Sequence, residues 1–233
     1  MSLGMLVRGH SVRARLGVGL LLLLATAASA ASPVLVEDWS APPVGTKGIP
    51  AGWKGQNWGS PKYDFTVVNT NAQKALHMRS VNEGSTISRE IKGQVDLKET
   101  PLLEWSWRVT LLPKNGNSCR KATDDQGGQV YVVWPRFPDA VRSQIIGYVW
   151  DTTQPAGTIC KSEKTGTVTY VVVRSGPADL GRWLTERRNV ADDYKQIYGA
   201  APDAPGALSL AIDSNDTNST AEAFVGALLF RRP

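Results

Sequence analysis

Apolar and polar residues alternate most regularly over positions 103–111. Leu103, Trp105, Trp107, Val109 and Leu111 share one parity, and Glu104, Ser106, Arg108 and Thr110 share the other. Successive side chains of a strand point to opposite faces, so this stretch predicts one face against a core and one that is wet or carries a site. Tyr63, Phe65 and Val67 repeat the pattern against Asp64 and Thr66, and shorter runs follow at 76–79 and 86–91. Residues 130–134 and 145–150 are apolar on both parities and rich in β-branched and aromatic residues, as central strands are, and 167–174 continues in the same style. Near the end, Leu208, Leu210 and Ile212 line one face, a polar loop covers 213–220, and 221–230 is apolar at almost every position. The last two runs predict a hairpin-like unit closing a sandwich.

Only residues 190–198 carry a helical signal. Asn189 can cap, Asp192 and Asp193 sit in the first turn, Gly199 stands where the chain reverses, and Pro202 and Pro205 bar continuation. Residues 35–39 read as a short first strand, followed by a loop to 61 in which Pro and Gly separate Trp39, Trp53 and Trp58. With about ten strands, one short helix and no βαβ rhythm, the expected fold is all-β, an antiparallel β-sandwich of the jelly-roll kind.

Positions 1–30 stand apart. Arg8, Arg13 and Arg15 precede an apolar stretch at 16–25 and the small residues Ala28-Ser29-Ala30, the pattern of a secretory signal peptide. The apolar stretch is shorter than the roughly 20 residues that cross a bilayer. A single domain over 31–233, periplasmic or secreted and not membrane-inserted after cleavage, is the expectation. Without the three arginines of the leader, 23 basic residues face 21 acidic ones with no basic stripe, which gives no footing for nucleic acid. Cys119 and Cys160, the only cysteines, are expected to form a disulfide in an oxidising compartment.

Elimination narrows the chemistry. Once the leader is set aside His77 is the sole histidine, and no nucleophile elbow, Walker pattern or dinucleotide glycine pattern is present. Carboxylates cluster at Asp124-Asp125, Asp192-Asp193 and Asp213 with Asp216. The helical pair offsets the helix dipole. Asp124 and Asp125, if extended, point to opposite faces and cannot serve together as a glycosidase pair. The loop at 213–218 has oxygen side chains suited to calcium but lacks the length, central Gly and closing Glu of an EF-hand, so Asx turns are the preferred reading and no cofactor is expected. Of the eight tryptophans, Trp105 and Trp107 belong to the core, while Trp58, Trp134, Trp150 and Trp183 lie at strand ends or in loops where a ring could be presented.

Several segments in one order carry a likeness: Trp105-Ser106-Trp107-Arg108-Val109, Asp124-Asp125-Gln126, Tyr148-Val149-Trp150, Arg174-Ser175-Gly176, Trp183 with Glu186-Arg187-Arg188-Asn189-Val190, Asp193-Tyr194 and Asp213-Ser214-Asn215-Asp216-Thr217. Together they resemble the DUF3047 family. That resemblance implies an exported bacterial sandwich and brings no catalytic residues.

The leading expectation is a non-catalytic binding module for carbohydrate or another polyhydroxylated ligand. Arg108 would donate, Asp125 and Asp213 accept, Trp150 stack, and Arg187 pair with an acid. The rival is a glycoside hydrolase or lyase using Glu104, Asp125 or Asp213; a third reading is an envelope structural protein whose Arg and Asp only tie loops together.

Overall fold

The computed structural model describes Met1 and residues 32–233, so the leader proposed over 1–30 lies, apart from Met1, outside the described residues. In chain order the strands are β1 (Val34–Glu37), β2 (Lys54–Gly55), β3 (Asp64–Asn69), β4 (Lys74–Val81), β5 (Gly84–Glu90), β6 (Leu102–Leu111), β7 (Gly128–Trp134), β8 (Gln144–Asp151), β9 (Ile159–Lys161), β10 (Val168–Ser175), β11 (Leu184–Asn189), β12 (Ala207–Asp213) and β13 (Thr220–Arg231). Among the described residues two α-helices, α1 (Asp139–Arg142) and α2 (Val190–Tyr198), and a single 3-10 turn at Lys121–Thr123 accompany them. The first sheet runs β11-β6-β13-β4-β3 with β1 also on β13, and the second runs β2-β5-β12-β7-β8-β10-β9. Residues 31–233 group into one unit. No helix among the described residues is long and apolar enough to cross a membrane.

The all-β expectation holds, and the alternation in β6 explains how the layers meet. Leu103, Trp105, Trp107 and Val109 have no exposed surface. Across the interface Trp105 stacks on Tyr148 at 5.4 Å and Trp107 meets Trp150 at 5.7 Å, so the core is an aromatic seam between β6 and β8. Each ring removed from water contributes about 2–3 kcal/mol, and ring pairs add about 1 kcal/mol.

The closing hairpin is corrected. β12 pairs with β5 and β7 in the second sheet, whereas β13 pairs with β4 and β6 in the first. The polar loop is therefore a crossing between layers, running beside the β4–β5 turn that makes the same crossing. Ser214 fastens the two turns together: its N–H donates to Glu83 O at 2.9 Å, and its hydroxyl meets Ser80 Oγ at 2.7 Å. Periodicity reports which face is buried and not which sheet buries it.

A second correction concerns direction. β10 runs parallel to β8, the one parallel pair among the described strands, which otherwise pair antiparallel. β11 escapes a hydrophobic reading because its inward position is Glu186. That carboxylate is buried with partners, accepting from Trp107 Nε1 at 3.1 Å and Arg174 Nε at 2.7 Å. α2 has the predicted bounds. Asn189 Oδ1 accepts from Ala191 N and Asp192 N, and Gly199 ends the helix at a positive φ of 76°, where only glycine is unstrained.

Candidate functional site

The polar parity of β6 forms the outer face of the first sheet, and its centre is a row of side chains across four neighbouring positions. Arg108 lies opposite Phe224 of β13, and Phe224 lies opposite His77 of β4. His77 stacks on Phe224 with centroids 4.5 Å apart and planes at 22°. The Arg108 guanidinium sits 4.2 Å from the Phe224 ring centre and 5.4 Å from that of Trp183, just before β11. Cation–π contacts of this kind contribute about 0.5–1 kcal/mol when exposed and about 2 kcal/mol when desolvated, enough to favour the guanidinium's place beside the rings.

Local chain geometry fixes both ends of the row. Gly181 N–H donates to Val109 O at 2.8 Å, extending the edge of β6 and bringing Trp183 alongside Arg108. On the far side the β3–β4 turn is closed by Thr70, whose hydroxyl donates to Gln73 O at 2.7 Å, and Gln73 Nε2 reaches over to Ser106 Oγ at 2.8 Å. A side chain at Gly226 would collide with that Gln73–Ser106 bridge, so glycine there keeps the turn down on the sheet. The result is a recess of about 550 Å³ lined by Val68, residues 69–72, Arg108, Trp183 and Phe224.

Charges beside the recess are already engaged. Glu222 accepts from Thr110 Oγ1 at 2.6 Å and from His77 Nε2 at 2.9 Å. The Thr110 hydroxyl, and after it the His77 contact working against burial, keeps its pKa below the usual glutamate value. Glu104 accepts from Arg187 at 2.7 Å and Arg231 at 3.1 Å; burial opposes its ionisation, but the two guanidinium groups outweigh that and lower its pKa. Arg108 differs. Its Nε is buried without a hydrogen-bond partner, and among the described residues it is the one partly buried arginine with no carboxylate in ion-pair reach.

The structure does not bring the five expected site residues together. Trp150 is corrected from stacking platform to core: only 1% exposed, it packs on Trp107 and donates Nε1–H to Gly176 O at 3.1 Å. Placement at a strand end suggested exposure, but the ring belongs to the inter-sheet core, where Trp107 of the facing β6 packs on it and Gly176 O takes its N–H. Asp125 and Asp213 are corrected from ligand acceptors to loop clamps. Asp125, fully buried, accepts from Asp216 N at 3.1 Å and Thr217 N at 2.6 Å. Asp213 accepts from Gln126 N and Gln129 Nε2, both at 2.9 Å. Arg187 pairs with Glu104 on the outer face of the first sheet, and Arg108 alone lines the recess.

Around the Asp125–Asp213 junction lie further satisfied groups. Asp124 accepts from Gln126 Nε2 at 2.7 Å, Ser162 Oγ at 3.2 Å and Tyr170 Oη at 3.3 Å. Burial raises its pKa. Burial, and next the neighbouring Asp125 charge, push Asp213 well above the usual aspartate value; as a residue it keeps some solvent contact, but its carboxyl is enclosed by protein. In the loop considered for calcium, Asp216 accepts from Lys164 Nζ at 2.5 Å and Asn215 donates to Asp216. Among the described residues no group of three or more His, Cys, Asp and Glu is placed to share a metal ion. Cys119 and Cys160 are joined as expected.

Family comparison gives one decisive match: a family model described as a protein of unknown function, DUF3047, matches residues 51–229. The chain belongs to the DUF3047 family. A comparison with curated proteins finds no match. Among solved structures, this DUF3047 chain is similar to a family 11 carbohydrate-binding module from Clostridium thermocellum, with 8% identity and a TM-score of 0.46 over 86% of this chain and 95% of that one. A family 30 carbohydrate-binding module of a Clostridium thermocellum cellulosomal cellulase has 12% identity and a TM-score of 0.43 over 87% and 98%. The xyloglucanase domain of NopAA, a type three effector from Sinorhizobium fredii, has 9% identity and a TM-score of 0.45 over 81% and 96%. At such identities no residue role passes from these proteins to the DUF3047 chain.

Proposed function

We propose that this chain is an exported, non-catalytic binding module that holds a glycan on the outer face of its first sheet. The observation that carries the reading is the row Trp183–Arg108–Phe224: two aromatic rings flank a guanidinium with no carboxylate partner among the described residues, under a turn that brings Asn69 and Asn71 into the same recess. Aromatic surface suits the apolar face of a pyranose ring, while arginine and asparagine supply donors and acceptors for hydroxyl groups around its edge. For the acids the sequence offered, a catalytic role has less support: Glu104 stands in the first sheet and is held by Arg187 and Arg231, while Asp125 and Asp213, which do adjoin, are enclosed by protein and each accept from N–H donors of the chain. The leader pattern at 1–30 and the Cys119–Cys160 bond support a periplasmic or secreted location.

A glycan array with the purified protein, followed by titration of the best ligand, tests this. Trp183→Ala is expected to weaken binding about tenfold or more, the equivalent of about 1.4 kcal/mol, with an unchanged melting temperature. Phe224→Ala should act in the same direction. If no glycan binds, or if Trp183→Ala binds as the parent does, the reading is withdrawn.

A further inference from the structure

Resting on the glycan-binding reading, we propose that the recess selects acidic glycans, with Arg108 taking the carboxylate or sulfate of one sugar. Every other partly buried arginine among the described residues has a carboxylate partner, and Arg108 has none. Its rings hold the guanidinium in place without neutralising it. Glu222, two residues before Phe224 on β13, is occupied by Thr110 and His77 and does not line the recess. With Nε buried, the terminal Nη1 and Nη2 groups are the donors left to form a fork, and a planar two-oxygen anion meets such a fork better than a hydroxyl does. The same face has a second positive point. Arg187 and Arg231 share the single carboxylate of Glu104, four residues along β6 from Arg108, or about 13 Å at strand rise. That spacing fits an oligosaccharide carrying repeated negative charge rather than one sugar.

The direct test compares polygalacturonate with its fully methyl-esterified form, which keeps the backbone and loses the charge, and dextran sulfate with dextran, all on the same purified protein. The acidic form of at least one pair should bind about tenfold or more tightly than its neutral partner, since a charge-assisted contact to arginine is lost on neutralisation. That preference should shrink with added salt. Arg108→Gln and Arg108→Lys should abolish most of the discrimination while leaving the melting temperature in place; the lysine variant keeps the charge and loses the fork. Preference confined to dextran sulfate assigns the anion as sulfate, and preference confined to polygalacturonate as carboxylate. Equal binding of acidic and neutral forms, or discrimination that survives in Arg108→Gln, overturns the inference while glycan binding that depends on Trp183 stands. Absence of binding to every glycan, neutral or acidic, removes both. The ester comparison needs no variant, so a poorly folded substitution cannot blunt the test.

Discussion

On the outer side of the first sheet Arg108 lies between two rings with no carboxylate in reach among the described residues, whereas at the end of the second sheet Asp124, Asp125 and Asp213 are each met by donors. Both regions hold charged side chains beside aromatic rings, and they differ in what covers them. Over the second sheet, the segment carrying Cys160 and Ser162 closes down, and a small secondary apolar cluster of Val149, Val168, Tyr170 and Val172 forms beneath it. Burial there makes every unpaired polar atom costly, so acids appear only where N–H groups can satisfy them. Over the first sheet no segment among the described residues closes down, and the β3–β4 turn leaves a recess. A charge can remain unpaired there because it is partly solvated, and that is the condition for a ligand to add binding energy. The difference teaches that residue type does not mark a site in this chain; cover does.

The strongest way to break the comparison is to loosen the covered side alone. Replacing Cys119 and Cys160 together by Ser opens a loop with a sequence separation of 41. The cost should be about 4 kcal/mol, or roughly 10 °C in melting temperature for a domain of this size. Glycan affinity at Trp183 and Arg108, measured well below the new melting point, should not change. A loss of binding in step with the loss of stability would mean that the two faces are one cooperative site after all. Less severe is Asp125→Ala, which strands the N–H groups of Asp216 and Thr217 and should cost about 2–3 kcal/mol in denaturant unfolding, again with binding preserved.

How much of this was legible follows from the same physics. The parity of β6 exposes both its buried tryptophans and its open face, because a strand covered on one side must alternate. Asn189 and Gly199 mark α2 because capping and chain reversal are local. Phe224 hid within an apolar run, although Glu222 two residues earlier shares its parity and signals an outward face. Trp183 could be named as an exposed ring, but its neighbourhood with Arg108 depends on the β11–β6 register, which the polar strand 184–189 conceals. Trp150 and the aspartates were misplaced for a related reason: which loop folds over which sheet is decided by connections between layers, and periodicity within one strand contains nothing about them.

The smallest effect is the one that best sharpens the contrast, because it concerns an acid that stays on the covered side and loses only its charge. Asp213 accepts both of its hydrogen bonds through Oδ1, from Gln126 N and Gln129 Nε2, and an asparagine oxygen can accept the same two. Burial, then the charge of Asp125, raise its pKa in the folded protein, while in the unfolded chain it returns to about 3.9. Below the unfolded value both states hold the proton and the group adds nothing to the pH dependence. As pH rises past it the unfolded chain gives up the proton first, so the native state binds more protons and stability falls until the folded pKa is passed. Asp213→Asn lacks that decline. Its melting temperature relative to the parent should therefore climb from about pH 4 until the folded pKa is passed and then level off, which thermal scans across that range will show. A gap that instead widens toward acid would mean that the Asp213 carboxylate is stabilised as an anion, and the acid junction would then belong with the charged, ligand-ready side of the molecule.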